Sequence, residues 1–268
     1  LCRILNNMDR PVLFVFAGKA HPADTMGADI MQSVIKYMLD PRFFGRIYFI
    51  EDYNLAVSRL MVQGCDVWLN TPRRPYEASG TSGQKISSNA GINLSVSDGW
   101  WCEGFEQNNG WTIGPVLNGD YLPTEQSDYE DAESLYSLLE ESVVPLYFER
   151  DSIGMPHAWL NTARHAMRSL IAQFNSINMV RDYLNECYIP TADYHKQLKA
   201  KNMSPAKELA QWKQSVASRF SSIKINEITI DGVDKDTLID TNPLAIAVNI
   251  DPGSMDPAEL TVQLVVGP

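Results

Sequence analysis

The sequence predicts an α/β fold with a doubly wound parallel sheet, because short apolar strands alternate with helical patterns in its first third. Residues 12–17 form a continuous apolar run, which is typical of a parallel strand covered on both faces. Two further short strands are predicted at 47–50 and 67–69, each preceded by a stretch of helical length. Strands separated by helices in this way indicate βαβ units.

The helices of this first third are predicted from apolar residues that recur every three or four positions. One such helix follows Gly18, and a second covers residues 55–62. The apolar face of the first helix consists of Ile30, Val34, Ile35 and Met38. Residues 71–85 are rich in Pro, Arg, Gly, Ser and Thr, which predicts a loop running into a helix.

The middle of the chain is predicted to be helical. An acidic stretch at 120–141 contains a helix at 131–141, whose charges we interpret as a solvated face. A longer helix covers 157–187 and ends at Pro190. Its predicted apolar face is Leu160, Ala163, Met167, Leu170, Phe174 and Ile177. Ser204 and Pro205 then cap another helix, whose predicted buried face is Leu209, Trp212, Val216 and Phe220.

From residue 223 onward the apolar period changes to two, which indicates β-strands. Residues 244–250 and 260–266 alternate between apolar and polar side chains. Asp231-Gly232 and Pro252-Gly253 are typical turn sequences. The end of the chain is therefore predicted to be a small antiparallel β-unit.

Composition excludes several classes of protein. A net charge of −11 and a pI near 4.8 argue against a nucleic-acid binder, which needs basic patches. No apolar run is long enough to cross a bilayer. The four cysteines are widely spaced, which argues against a disulfide framework or a zinc site and favours the reducing cytoplasm. Because the first residue is not Met, we expect a fragment or a processed product.

The strongest chemical motif is Glu77-Ala-Ser-Gly-Thr-Ser-Gly-Gln-Lys85. Small residues let the backbone approach an anion, and consecutive N–H groups before a helix can bind phosphate. A lysine just beyond can act as a point charge or bond covalently to an aldehyde cofactor. Ile86 replaces the Ser or Thr of a Walker motif, and the dinucleotide glycine pattern is absent. Spacing alone supports a surface loop as well as a binding site.

This motif, together with Asn89, resembles the segment that carries the pyridoxal phosphate (PLP) lysine in glycogen and other α-glucan phosphorylases. The resemblance extends from residue 10 to about 195 and points to the bacterial and archaeal branch of that family. Further matching segments are Gly18-Lys-Ala-His-Pro-Ala-Asp24, Asp98-Gly-Trp-Trp-Cys-Glu-Gly104, Asn109-Gly-Trp-Thr-Ile-Gly114 and residues 62–75.

The resemblance implies the Rossmann-like C-terminal domain of a two-domain glycosyltransferase of the GT-B type, followed by helices and the small β-unit. Its expected boundaries are a PLP-binding catalytic domain at 1–155, C-terminal helices at 156–220 and the β-unit at 221–268. An N-terminal half of the same enzyme is then the expected partner that completes the cleft. The isolated chain is expected to be inactive for that reason, and assembly into a homo-oligomer stays open.

The resemblance also assigns the cofactor site. Lys85 is expected to bind PLP covalently, and the backbone at Thr81 and Ser82 to hold its 5′-phosphate. Tyr53 matches a tyrosine that lies next to the cofactor. In that family the cofactor phosphate, and not the covalent link, takes part in proton transfer. Gln84 stands where a methionine is usual, and we expect this exchange to affect packing only.

The implied reaction is phosphorolysis of an α-1,4-glucan by inorganic phosphate, which releases glucose 1-phosphate. Glu77, with Ser79 and Gly80, is expected to bind hydroxyls of the terminal glucose, so that Glu77 and Lys85 are the catalytic residues. Two alternatives stay open at this point. The first is a non-catalytic glucan-binding or scaffold module of the same fold. The second is a nucleotide-sugar glucosyltransferase, which needs no lysine at position 85.

Other candidate sites are weaker. His21 with Asp24 is too small a set for a metal, and no metal site is predicted. The pair Arg73-Arg74 is equally compatible with gripping phosphate and with bracing the loop against carboxylates. Trp100 and Trp101 are expected to be buried near a turn instead of stacking on sugars. Two cysteines, Cys65 and Cys102, are expected to be inert core thiols.

Overall fold

The structure, a computed structural model, describes residues 2–115, 124–231 and 245–265. The chain divides into two compact units, Leu1–Arg181 and Asp182–Pro268. The strands of the first unit are β1 (Phe14–Ala17), β2 (Ile47–Ile50), β3 (Val67–Asn70), β4 (Ile92–Val96) and β5 (Gly110–Ile113). Its helices are α1 (Cys2–Leu5), α2 (Thr25–Leu39), α3 (Leu55–Gly64), α4 (Thr81–Ser87), α5 (Trp101–Gly104), α6 (Glu125–Leu138), α7 (Val144–Phe148), α8 (His157–Gln173) and α9 (Ser176–Asp182).

All strand pairs of the first unit are parallel. Strand β1 pairs with β2, with Phe14 opposite Ile47, and the other three strands form a sheet in the order β3-β4-β5. Parallel strands need crossover connections, and α2, α4 and α5 lie between successive paired strands. The prediction of an α/β fold with parallel sheets is confirmed. In the described residues the strands form two separate sheets instead of the single sheet that the pattern predicted.

The best-buried strand is β4, and the sequence pattern did not predict it. Every residue of β4 is buried, including the polar Asn93 and Ser95. These two polar residues interrupt the apolar run Ile92-Asn-Leu-Ser-Val96, so the sequence pattern of this segment does not predict a buried strand. The run at 12–17 was predicted to be covered on both faces, which is wrong: Val15 is 46% exposed and Phe16 37% exposed.

The main core lies where β4 and β5 meet α1, the helical segment from α6 to α7, and α8. Its buried residues are Ile4, Ile92, Leu94, Val96, Ile113, Leu139, Val143, Trp159 and Ala163. A second cluster joins Trp100 and Trp101 to Ala166 and Leu170 of α8. The buried face of α8 is therefore Trp159, Ala163, Ala166 and Leu170. Leu160 and Met167, predicted for that face, lie on its exposed flank.

The acidic segment forms a longer helix than predicted. Helix α6 begins at Glu125, where the Thr124 hydroxyl accepts a hydrogen bond from the Ser127 backbone N–H and the Ser127 side chain bonds back to Thr124 N–H. This reciprocal cap satisfies two N–H groups that a helix start leaves free. A π-helix, Leu139–Val143, continues α6 directly into α7. Asp120, where the acidic stretch starts, lies outside the described residues.

The second unit begins with a helical segment that extends further than the sequence pattern predicted. A π-helix covers Tyr183–Tyr188 and leads directly into α10 (Ile189–Arg219), so Pro190 lies in the first turn of α10 and does not end a helix. The helix predicted at 157–187 instead stops at Phe174 and resumes at α9.

Helix α10 contains a break at Ala200–Met203, where the backbone leaves the helical region. The helix predicted after Ser204 is present beyond that break. Ser204 was predicted to cap this helix, but its hydroxyl donates a hydrogen bond to the Glu208 carboxylate. The face predicted to be buried is exposed: Trp212 is 47% and Phe220 61% exposed. Apolar spacing alone therefore located the helix correctly but not its burial.

The predicted antiparallel β-unit is present as one strand pair. Strand β6 (Lys224–Asp231) runs antiparallel to β7 (Ala245–Asp251), with Ile228 opposite Val248. A turn follows at Pro252-Gly253, where Gly253 has a φ of +57°. The strand predicted at 260–266 is absent from 260–265, and Val266, Gly232 and Leu244 lie outside the described residues.

Candidate functional site

The loop that leads to the motif is braced by its two arginines. Arg74 is only 4% exposed, and its guanidinium donates to both carboxylate oxygens of Asp131 at 2.6 and 2.7 Å and to the Ile113 carbonyl at 3.3 Å. Arg73 forms an exposed ion pair with Asp128. Both arginines thus bind carboxylates of α6, which settles the choice between bracing and phosphate binding in favour of bracing.

The start of the motif, residues 77–80, is held against the turn that follows β4. The Asp98 carboxylate accepts the Glu77 N–H at 2.9 Å through Oδ2 and the Gly99 N–H at 2.9 Å through Oδ1. The Trp100 N–H donates to the Ser79 carbonyl at 2.8 Å. The bonds from Glu77 to Asp98 and from Trp100 to Ser79 each join residues 21 positions apart, and they define where Glu77 and Ser79 lie.

Gly80 makes the turn between this segment and α4. It is the residue that caps α4, with a φ of 85° in the left-handed region that favours glycine. A Cβ atom on Gly80 would lie 2.6 Å from Oε1 of Glu77. The Glu77 carboxylate therefore packs directly against the Gly80 backbone. No capping side chain accepts a hydrogen bond from the N–H groups at the start of α4, where Thr81 and Ser82 lie.

Helix α4 presents one face to the core and another to solvent. A Cβ on Gly83 would lie 2.7 Å from Oδ1 of Asn93, and the Asn93 amide donates to the Gly83 carbonyl at 3.1 Å. The buried residues of α4 are Gly83, Ile86 and Ser87. Lys85 lies on the opposite, exposed face. No ion pair engages its ammonium within the described part of the chain.

This geometry fits PLP on two counts. The Lys85 amine is accessible and, among the described residues, outside any ion pair, as covalent capture of an aldehyde requires. Gly80, with its positive φ, makes the turn into the first turn of α4, whose N–H groups have no side-chain cap. Of the other predicted residues, Ser79 and Thr81 are exposed, while Ser82 is half-buried. The structure thus brings the predicted residues 77–85 together.

Tyr53 is the one predicted site residue whose side chain the structure does not join to this segment. It is half-buried, and no hydrogen bond or ring contact links it to residues 77–85 where the chain is described. Asn54, the next residue, caps α3 by accepting the N–H groups of Ala56 and Val57. Helix α3 in turn packs against α4. Tyr53 therefore precedes an element that neighbours the site.

Sequence reasoning missed Asp98 and Asn93 as residues that support the site. Asp98 belongs to a segment that entered the sequence analysis only through its resemblance. The Asp98-Gly99 pair was the available signal, because such pairs form turns whose carboxylate binds nearby N–H groups. Asn93 gave no comparable signal, since a polar residue inside a strand is usually exposed.

The remaining candidate sites have structural roles. His21 Nδ1 accepts the Ala23 N–H and Asp24 caps α2 through the Gly27 N–H, and the described residues contain no metal-binding cluster. The adjacent tryptophans are buried as predicted, at 5% and 0% exposure for Trp100 and Trp101. These residues explain local structure and leave the 77–85 segment as the candidate site.

The expectation for the two cysteines holds in part. Burial raises the pKa of Cys65 to about 11, which keeps this half-buried thiol protonated and unreactive at neutral pH. Cys102 is exposed, so its prediction as a core thiol is wrong. It lies in α5, whose buried residues are Trp101 and Gly104.

Comparison with known proteins identifies the family. The chain is 36% identical over 265 residues to a glycogen phosphorylase of Mycobacterium bovis, a match that covers 99% of this chain. It is 46% identical over 188 residues to the glycogen phosphorylase of Aquifex aeolicus. This chain belongs to the α-glucan phosphorylase family. A maltodextrin phosphorylase of Thermococcus litoralis, 35% identical over 268 residues, adds an archaeal member to these relatives.

The chain is short compared with these relatives. It spans 30% of the length of the Mycobacterium bovis and Thermococcus litoralis proteins and 26% of the Aquifex aeolicus protein. No family model matches it. Among its described residues, no helix is both long and apolar enough to cross a membrane. The relatives therefore define the family, and the activity of the whole protein is a proposal.

Proposed function

We propose that this chain is the PLP-bearing C-terminal part of an α-1,4-glucan phosphorylase. The observation that carries the proposal is the 77–85 segment, whose ends place the Glu77 carboxylate against the Gly80 backbone and leave the Lys85 amine accessible. Named relatives over nearly the whole chain are glycogen and maltodextrin phosphorylases, which favours phosphorolysis over the glucosyltransferase and scaffold alternatives. The proposed reaction transfers the terminal glucose of the glucan to inorganic phosphate.

The proposed architecture follows the same family. Residues 1–155 would be the Rossmann-like catalytic domain of a GT-B enzyme, 156–220 its C-terminal helices and 221–268 the β-unit. A separate N-terminal half would supply the other wall of the cleft, so that this chain alone is inactive. We propose a cytoplasmic enzyme that acts on glucan and phosphate without nucleic acid or membrane, in keeping with the net charge of −11.

The residues of this chain would hold the cofactor from two directions. Lys85 would bind its aldehyde carbon, and the N–H groups of Thr81 and Ser82 would donate to its 5′-phosphate. Tyr53 would lie alongside, at the start of the helix that packs on α4. When bound, PLP supplies a phosphate that can donate and accept a proton next to the attacking inorganic phosphate.

Recognition of glucose would depend on the segment before α4. The Glu77 carboxylate would accept hydrogen bonds from sugar hydroxyls, while the N–H groups of Ser79 and Gly80 would donate to them. Charge-assisted hydrogen bonds of this kind are about twice as strong as neutral ones. Glu77 therefore contributes orientation of the glucose ring, and Lys85 contributes retention of the cofactor.

The direct test is borohydride reduction of the chain after incubation with PLP, followed by peptide mass mapping. We expect a pyridoxyl adduct at Lys85 and none on the Lys85→Gln variant. Lys36 is a matched control, because it also lies in the last turn of a helix and on the surface. Adducts spread equally over Lys36 and Lys85, or absent from Lys85, would contradict a cofactor site in this chain.

Activity has to be measured in a protein that contains both halves of the cleft. In a chimera, this chain replaces the aligned segment of the Mycobacterium bovis glycogen phosphorylase, which it matches over 265 residues. We expect the chimera to form glucose 1-phosphate from maltodextrin and phosphate, and the chain alone to form none. An active isolated chain would refute the two-half cleft. A chimera that binds PLP at Lys85 yet makes no glucose 1-phosphate would refute phosphorolysis.

A further inference from the structure

Asp98 is the buried group that ties the substrate segment to the sheet. It is 9% exposed and follows β4 by two residues. Its two carboxylate oxygens each accept one backbone N–H, from Glu77 and from Gly99, both at 2.9 Å. A buried carboxylate is stable only when such donors replace the lost water. The Asp98 carboxylate therefore accepts backbone N–H groups and, among the described residues, binds no side chain.

The turn after Asp98 touches the same segment a second time. The Trp100 N–H donates to the Ser79 carbonyl at 2.8 Å. Gly99 has a φ of +54°, and a Cβ there would lie 2.7 Å from the Ser79 carbonyl and 2.9 Å from the Glu77 carbonyl. The two chain segments are therefore packed backbone to backbone. A shift of the Asp98 turn would move Glu77 and Ser79 with it.

We infer that Asp98 is a positioning residue that sets the orientation of residues 77–80 toward the glucose. The inference rests on the proposed function, because it assigns a purpose to the geometry of that same site. The Glu77 backbone bond to Asp98 and the Glu77 side-chain packing on Gly80 leave the carboxylate little freedom. Asp98 touches neither the substrate nor Lys85, and it acts only through Glu77 and Ser79.

The substitution Asp98→Asn tests this role with little change of shape. An asparagine has one carbonyl oxygen, so it can accept only one of the two N–H groups and turns an N–H₂ group toward the other. A loosened segment 77–80 binds glucose less well, but phosphate and PLP bind elsewhere in the proposed site. We therefore expect the KM for glucan to rise by about tenfold, as loss of a bond to a charged group predicts.

The kinetic measurement uses the chimera with the Mycobacterium bovis protein. Asp151 supplies the matched control, since its carboxylate also accepts two backbone N–H groups, those of Ile153 and Met155. We expect Asp151→Asn to leave both KM values unchanged. For Asp98→Asn, the KM for phosphate and the yield of Lys85 adduct should also match the unsubstituted chimera. A lower kcat with both KM values unchanged would refute positioning and indicate only a smaller folded fraction.

A second measurement does not depend on activity. Amide hydrogen exchange of the chain itself should be faster at Glu77 in Asp98→Asn by about tenfold or more, because the Glu77 N–H loses its charged acceptor. Exchange in β4, which Asp98 follows, should be unaffected. If the chimera is inactive, phosphorolysis fails while this measurement still judges Asp98. Unchanged exchange at Glu77 would overturn the inference even if the enzyme is active.

Discussion

Replacing Asp131 by alanine should destabilise the first unit more than its position near the surface suggests. Its partner Arg74 is 4% exposed and Asp131 is 21% exposed, and two bonds of 2.6 and 2.7 Å join them. Removing one partner of a buried pair costs about 3–5 kcal/mol, whereas exposed pairs contribute about 0–1 kcal/mol. Because Asp131 is partly solvated and Arg74 keeps its bond to the Ile113 carbonyl, we expect a loss of about 2–4 kcal/mol in the free energy of unfolding.

The assay is urea denaturation followed by tryptophan fluorescence. With a slope of about 2 kcal/mol per molar urea, the midpoint should fall by about 1–2 M. Asp128→Ala is the matched control, because Asp128 pairs with the neighbouring Arg73 but both side chains are well exposed. The control should leave the midpoint nearly unchanged. Equal shifts for Asp131→Ala and Asp128→Ala would refute the argument that burial of Arg74 decides the cost.

Two further predictions follow from shifted pKa values. The N–H of Met155, with smaller contributions that include the His157 side chain, lowers the pKa of Asp151 below 3.8. A lowered folded-state pKa stabilises the protein above about pH 3.8, and this stabilisation is lost as the pH falls through the folded-state pKa. Asp151→Asn should therefore lower thermal stability more at pH 6 than at pH 2.5. Equal effects at both pH values would contradict this. With a pKa of about 11, the Cys65 thiol should react with iodoacetamide at pH 8 about 100-fold more slowly than a thiol of pKa 9.0. Mass mapping measures the labelling rate of Cys65 beside that of the exposed Cys102. Comparable rates at the two cysteines would contradict the prediction.

Local pattern was sufficient for elements whose burial follows their own sequence. Helices α2 and α3 and strands β1 to β3 were predicted, because their apolar residues recur at the period of the element that they form. Strand β4 was missed because its core position is occupied by Asn93, which is satisfied by the Gly83 carbonyl and the Ser87 hydroxyl. A polar residue with distant partners carries no periodic signal.

Exposure was the property that pattern predicted least well. Phe16 and Trp212 both belong to apolar runs or faces, yet they are 37% and 47% exposed. Apolar spacing reports that a segment can form an amphipathic element, but not that another element covers it. A different error occurs at Pro190, which was predicted to end a helix but lies in a helical segment that continues from a π-helix into α10.

The sequence by itself determined the segment 77–85, the family that it resembles and the residues that would carry cofactor and glucose. The tertiary structure decided what holds them: the bond from Glu77 to Asp98, 21 residues away, and the pair of Arg74 with Asp131, 57 residues away. The physical reason is that the residues of a motif are consecutive, so the motif can be recognised without knowledge of the fold. Its support depends on which distant backbone groups packing brings within about 3 Å, the range of a hydrogen bond.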